Sequence, residues 1–376
     1  MKKERESGIE LLKLIAMGII ILFHVTQTLS TYDEALVSLW GVDYHLDLNA
    51  ASSNIQQIIL MLIRQGGLGS HIFFVCSAWF LCTSKKRTKG SKVLKILLDV
   101  WIISVVIMAI YVLTGQNITT GDIKRSLFPI MFGNNWYISC YLIIYLIYPF
   151  LNWIIERMTK KELFTANLIA FVLYYCIGYV YQGSYQFSNL VLFVILYFMV
   201  AYVRLYLESY AGNMRFWICL MVIGFAGYLG VPLLQNFIGL HVSYYSESAL
   251  RWAGFQTPFL PIISISLLQI FRSIRFTSRI INRISACTLY IYVIHENLLF
   301  RTYTRPWIFY LIYTNFGYQY ILLWVLVYAF ALAVGTTGIS LFYHYTVSRG
   351  TEWLSERGAK KIYMLYNRIG ADTFVH

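Results

Sequence analysis

The chain has 376 residues, of which 59% are hydrophobic, 18% are aromatic and 12% are charged. Soluble domains carry about a quarter charged residues, so this composition excludes an ordinary soluble protein and indicates a polytopic membrane protein. The formal net charge of +13 would suggest nucleic acid in a soluble protein, but the basic residues here lie in short segments between apolar runs, so no nucleic-acid partner is expected.

Windows of about 20 apolar residues predict transmembrane helices. In chain order, the ten predicted helices cover residues 9–29, 55–82, 94–114, 135–154, 164–181, 187–207, 215–236, 248–271, 284–301 and 319–345. The predicted fold is therefore all-α, with a transmembrane domain over residues 1–346 and a cytoplasmic tail over residues 347–376. Within this tail, residues 349–370 mix aromatic and basic side chains, which predicts an amphipathic helix on the inner membrane surface, with a loosely ordered tail as an equally compatible alternative.

The distribution of basic residues predicts the orientation of these spans. If the N-terminus is cytoplasmic, 23 of the 30 Lys and Arg residues fall in inside segments and only four fall in outside segments. Such a bias toward one side supports ten spans with both termini inside. The six cysteines lie in or at the ends of apolar runs without a metal-binding or disulfide spacing, so we predict neither a disulfide nor a metal site.

Two ionisable residues interrupt the first apolar run. Lys13 and His24 are eleven residues apart, about three turns of helix, so they share one face at a separation of about 16 Å. A histidine can act as a general base near neutral pH, whereas the alternative is a structural histidine hydrogen-bonded between helices. For Lys13 alone, the simpler interpretation is a snorkelling side chain paired with Glu10.

Adjacent ionisable residues also lie in the ninth predicted span. His295 and Glu296 are followed by Asn297, and both ionisable side chains would be costly in contact with lipid. They are predicted to orient a substrate or His24, or else to form a polar clamp between helices. Trp136, at the start of the fourth span, could pack on a sugar or belong to the aromatic belt.

The face that joins Lys13 to His24 fits one particular substrate. The pantetheine arm of coenzyme A reaches on the order of 15 Å, so its phosphates could stay near inner cations while its thioester approaches His24. The basic clusters at 85–95 and 272–283 could receive these phosphates. Positive-inside bias alone also explains most of these cations.

Four segments, in order, resemble those of the membrane acyltransferase-3 family. They are residues 10–25, with the basic-x10-His spacing; residues 72–81, similar to FFxxSGyxL; residues 135–152, with a Trp and a PFLN ending; and residues 290–297, similar to GIYLIHEN. This chain departs from the motifs of the family at three places. It has Lys13 where Arg is more frequent, Ala78 where Gly is usual, and Asn134-Asn135 where many members carry His before the Trp.

The resemblance implies an integral membrane enzyme that transfers an acyl group, commonly acetyl, from cytoplasmic acyl-CoA to an extracytoplasmic hydroxyl. It implies catalytic roles for His24 and Lys13, and acyl-CoA binding by Lys92, Lys95 and Ser77. His295, Glu296, Asn297 and Trp136 are expected on the acceptor side or as orienting residues.

The predicted function is thus an O-acetyltransferase of a surface polysaccharide or exopolysaccharide in the bacterial cytoplasmic membrane. Acetyl-CoA or another acyl-CoA serves as the donor, a glycan as the acceptor, and no cofactor is bound permanently. A secondary transporter or glycan flippase that uses Lys13, His24 and His295 as a proton relay is the main alternative. A structural partner in glycan export is a third. The sequence leaves open whether transfer is direct or passes through an acyl-enzyme, and whether the protein forms a homodimer.

Overall fold

The structure is a computed structural model that describes residues 7–31, 46–86, 88–181, 188–210, 212–317 and 319–373, and these residues form helices and loops with no strand among them. The first eight helices are α1 (Gly8–Thr31), α2 (Ile55–Arg64), α3 (Leu68–Leu81), α4 (Gly90–Leu113), α5 (Thr120–Leu127), α6 (Trp136–Ile155), α7 (Lys160–Val180, π-helical over Phe171–Ile177) and α8 (Asn189–Tyr206). The remainder are α9 (Met214–His241), α10 (Phe259–Ser273), α11 (Arg279–Ala286), α12 (Thr288–His295), α13 (Arg305–Phe316), α14 (Ile321–Thr346) and α15 (Ser348–Thr373).

Eight of the predicted windows coincide with helices that are long and apolar enough to cross a bilayer. The window at 248–271 differs, because residues 248–258 form turns around Gly254 and only α10, with 15 residues, is helical. The window at 284–301 is divided, since α12 ends at His295 and a π-helical segment begins at Phe300. The all-helical fold is confirmed for the described residues, whereas the count of ten spans and the cytoplasmic location of both termini stay predictions.

Helix α1 occupies the centre of the bundle. It packs against α3, α10 and α14, and also against α2, α11, α12 and α13. The contact with α3 is close at Gly69, where an added Cβ would lie 2.7 Å from the carbonyl oxygen of Ala16 and 3.2 Å from the backbone nitrogen of Ile20. The hydrogen side chain at this position therefore lets α3 rest directly on the backbone of α1, between Lys13 and His24.

Cations gather at the end of the bundle where α1 begins. Lys95 of α4 donates hydrogen bonds to Asp99 at 2.7 Å and to Ser348 at 2.8 Å. The buried Asp99 carboxylate also accepts a hydrogen bond from Thr351 at 2.6 Å. Helix α15 runs through most of the residues assigned to the tail, and these bonds attach its first turn to α4. Its location on the membrane surface stays a prediction.

We expect Gly69→Ala to lower the melting temperature of the detergent-solubilised protein. The added methyl group must push the α1 backbone away, and such overpacking costs about 1–3 kcal/mol. Gly18→Ala in α1 is the matched control, because a Cβ at this position meets no atom of the described residues within 4 Å and alanine stabilises a helix by roughly 0.5–1 kcal/mol relative to glycine. Equal melting temperatures for the two variants would contradict the close contact.

Candidate active site

Three ionisable side chains from two helices meet inside the bundle. His24 lies in the last third of α1, and His295 and Glu296 lie at the end of α12. The His24 Nδ1 atom is 3.1 Å from His295 Nε2 and 2.9 Å from Glu296 Oε2. All three residues are buried. The structure therefore brings together residues that are 271 positions apart in the sequence, and we refer to them as the His–His–Glu cluster.

The contacts of the cluster define the proton positions on both imidazoles. His295 Nδ1 lies 2.7 Å from the carbonyl oxygen of Ile291, which can only accept, so this nitrogen carries a proton. The neutral His295 then presents a lone pair on Nε2. An ionised Glu296 likewise only accepts, so His24 carries its proton on Nδ1 and shares it between these two acceptors. When the His24 imidazole is neutral, its lone pair is therefore on Nε2, which makes no hydrogen bond to the described residues.

Two arginines compensate the charge of the Glu296 carboxylate. Arg305 Nη2 lies 2.7 Å from Oε2, and Arg301 Nη1 lies 3.0 Å from Oε1. Arg305 is 1% exposed and also donates to the carbonyl oxygen of His295. Arg301 and Arg305 are two of the four basic residues that the charge distribution assigned to outside segments. The assignment is corrected for Arg305, which lies inside the bundle as the countercharge of a buried carboxylate. A buried carboxylate needs a positively charged partner. A glutamate in an apolar segment was therefore the signal from which a buried arginine could have been predicted.

The cluster resembles a metal-ligand set in composition. One ligand atom from each of the three residues lies within 4.8 Å of the others, and two histidines with a glutamate are a known zinc set. However, the carboxylate oxygen that faces His24 is already bonded to the Arg305 guanidinium. A metal dication bound to this oxygen would lie against a fixed positive charge. We therefore interpret the cluster as a hydrogen-bonded acid–base group.

Lys13 lies at the cation-rich end of α1. Its Nζ is 3.4 Å from Glu10 Oε1, which confirms the pairing expected from the sequence, and 5.8 Å from the centre of the Phe80 ring. Glu10 also accepts a hydrogen bond from Ser285 of α11. Lys13 is therefore held between α3 and α11 rather than extended into solvent.

A cavity of about 300 Å³ lies beside Lys13 and is lined in part by Ser77, Lys92, Lys95 and Ile20. The residues predicted to bind acyl-CoA thus line a single cavity together with Lys13. Lys92 Nζ lies 3.1 Å from the Tyr141 hydroxyl. The lining reaches Ile20, one helical turn before His24, so the cavity extends from the cations toward the His–His–Glu cluster.

A second cavity, of about 810 Å³, opens at the same end of the bundle. Its lining includes Trp79, Arg204, Arg272 and Arg275. The guanidinium groups of Arg204 and Arg272 lie 4.3 Å and 4.5 Å from the centre of the Trp79 ring. Part of the predicted basic cluster at 272–283 therefore lines this cavity, and Arg204 joins it from α8.

Two of the predicted site residues have contacts away from the cluster. Trp136 packs edge-on against Phe255, with ring centres 5.6 Å apart. The Asn297 side chain accepts a hydrogen bond from the Leu299 backbone nitrogen at 3.0 Å, and so stabilises the turn after α12. Their roles toward an acceptor stay predictions.

We expect Arg305→Ala to destabilise the protein strongly, because it leaves the Glu296 carboxylate buried with one fewer countercharge. Breaking a buried ion pair costs about 3–5 kcal/mol. Thermal unfolding in detergent micelles measures the loss. Arg272→Ala is the control, since its partner Glu208 is 48% exposed and exposed ion pairs contribute about 0–1 kcal/mol. If both variants unfold at the same temperature, Arg305 is not the main countercharge.

Residues 6–344 match the family model described as an acyltransferase domain. No curated protein and no solved structure matches this chain. The matched range contains all four segments that resemble the acyltransferase-3 family, at residues 10–25, 72–81, 135–152 and 290–297.

Proposed function

The chain belongs to the acyltransferase-3 family, and we propose that it is an O-acyltransferase that moves an acyl group, most simply acetyl, from cytoplasmic acyl-CoA to a hydroxyl of an extracytoplasmic glycan. The proposed location is the bacterial cytoplasmic membrane, with the cation-rich end of the bundle inside. Membership of the family and the apolar helices support a multi-pass membrane acyltransferase. The donor, the acceptor and the membrane are parts of the proposal.

The observation that carries the proposal is the orientation of His24. Its Nδ1 faces Glu296 Oε2 at 2.9 Å and His295 Nε2 at 3.1 Å. With the proton on Nδ1, the Nε2 atom can accept a proton from an acceptor hydroxyl, and the carboxylate stabilises the imidazolium that forms. A base positioned and balanced in this way supplies general-base catalysis, which typically contributes 10² to 10⁴-fold in rate.

The positions of the cations support a donor that enters from the inner end. Lys13 and His24 are separated by about three helical turns, roughly 16 Å, which is close to the reach of a pantetheine arm. The 300 Å³ cavity offers Lys92 and Ser77 beside Lys13. In this arrangement the phosphates of the donor stay with the lysines, while the thioester is directed along α1 toward His24.

The reaction then follows as a direct transfer. The acceptor hydroxyl gives its proton to His24 Nε2 while its oxygen bonds to the thioester carbonyl carbon. The carbon–sulfur bond breaks, and the leaving sulfur takes the proton back from the imidazolium. The hydrogen bonds of the described residues place His24 against His295 and Glu296, and no Ser or Cys side chain is among its bonded partners, which favours direct transfer over an acyl-enzyme. No observation on the described residues favours a transporter.

We expect His24→Ala to abolish O-acetylation of the cell-surface polysaccharide, measured by NMR of the purified polymer, while the amount of exported polymer is unchanged. His241→Ala is the control, because His241 is an exposed histidine at the end of α9. Normal acetylation in the His24 variant would refute the proposed enzyme. A loss of polymer export with normal acetylation of the remainder would instead indicate a transporter.

For Lys92→Gln, the KM for acetyl-CoA should rise about 10- to 150-fold in membrane vesicles with little change in kcat, since one charge-assisted contact to a phosphate contributes about 1.5–3 kcal/mol. Lys89→Gln removes the same charge from an exposed residue that precedes α4 and does not line the cavity, so it should leave KM unchanged. An equal rise in KM for both variants would indicate a general surface effect of charge rather than a binding site.

A further inference from the structure

Two tyrosine hydroxyls at the cavity donate no hydrogen bond to any residue that the structure describes. Tyr137, in the first turn of α6, is 7% exposed, and Tyr292 of α12 is 6% exposed. Both residues line the 300 Å³ cavity. Among the described residues, neither hydroxyl has a hydrogen-bond acceptor. Buried hydroxyls are normally paired, so two unpaired ones at one cavity point to a ligand that accepts hydrogen bonds.

These tyrosines connect the cavity to the His–His–Glu cluster. Their ring centres are 5.9 Å apart, and the Tyr292 ring lies edge-on to His295 at 5.7 Å. His295 in turn lies 5.3 Å from His24, measured between ring centres. A group that advances through the cavity from Lys13 toward His24 therefore meets the two tyrosines immediately before the catalytic base.

The chemistry of the proposed reaction requires donors at this place. When the acceptor oxygen bonds to the thioester carbon, the carbonyl electron pair moves to the carbonyl oxygen and gives it a full negative charge. Fixed hydrogen-bond donors in a water-poor site stabilise this charge most effectively. Phenol hydroxyls are suitable donors. The nearby lysines have other partners, because Lys95 is bonded to Asp99 and Lys92 is assigned to the donor phosphates in the proposed function.

We propose that the hydroxyls of Tyr137 and Tyr292 donate hydrogen bonds to the acyl carbonyl oxygen of the thioester and hold the oxyanion of the tetrahedral intermediate. This inference rests on the proposed function. As His24 Nε2 takes the acceptor proton, the new carbon–oxygen bond forms and the charge develops between the two hydroxyls. When the carbonyl double bond re-forms, the carbon–sulfur bond breaks and the sulfur takes the proton from His24.

The first test uses the His24→Ala variant, which we expect to bind acetyl-CoA without turnover, in lipid nanodiscs with acetyl-CoA labelled by ¹³C at the carbonyl. Isotope-edited infrared spectroscopy measures the carbonyl stretch directly. We expect the bound band at a lower frequency than that of free acetyl-CoA, because hydrogen bonds weaken the carbonyl bond. Adding Tyr137→Phe or Tyr292→Phe should return the band toward the free position, an effect that a purely structural role would not produce.

The second test measures steady-state transfer of acetyl by variants that retain His24. Each single Tyr→Phe change should lower kcat about 100-fold, as loss of an oxyanion donor does, with the KM for acetyl-CoA within about threefold of the original value. Tyr328→Phe is the matched control, since its hydroxyl is also buried and unpaired but Tyr328 does not line the cavity. It should leave kcat unchanged.

The outcomes separate this inference from the proposed function. If the unmodified protein transfers acetyl from acetyl-CoA and both Phe variants keep kcat within twofold and leave the carbonyl band in place, the tyrosine assignment is wrong and the acyltransferase proposal stands. If the unmodified protein neither binds acetyl-CoA nor transfers acetyl, the proposed donor is wrong and the tyrosine assignment fails with it.

Discussion

The carboxylate of Glu296 determines the arrangement of the whole site. A buried carboxylate is stable only with compensating positive charge and hydrogen bonds, and Glu296 obtains both from Arg305, Arg301 and the His24 Nδ1 proton. These partners come from α1, α13 and the segment between α12 and α13. The need to satisfy one charge therefore fixes how three parts of the chain meet, and it leaves the other nitrogen of His24 free for chemistry.

Much of the fold and part of the site could be predicted from sequence, because the relevant signals are local. Apolar runs fix most of the spans, and eight windows agree with helices that could cross a bilayer. Helical spacing likewise places Lys13 beside Glu10, at 3.4 Å. The family match over residues 6–344 confirms the resemblance, which rested on four short segments. Each of these predictions depends on residues that are close in sequence.

Contacts between distant residues were harder to predict. Local hydropathy predicted a single span over residues 284–301. In the structure, α12 ends at His295, where the polar residues 295–297 begin. Arg305 follows an apolar run and carries the charge typical of a loop, so nothing local shows that it is 1% exposed. Tyr137 and Tyr292 are two among 31 tyrosines, and only the folded chain shows that their unpaired hydroxyls share a cavity.

The break after α12 explains how the polar His–His–Glu cluster can be accommodated among apolar helices. An interrupted helix exposes backbone groups, and these are tolerated at membrane depth only where protein satisfies them. Here Arg305 binds the His295 carbonyl oxygen and Asn297 binds the Leu299 backbone nitrogen. Glu296 is the residue that follows the last residue of α12, and it contacts His24 there. The same arginine thus stabilises both the broken backbone and the carboxylate, so the interruption and the acid–base group form a single structural unit.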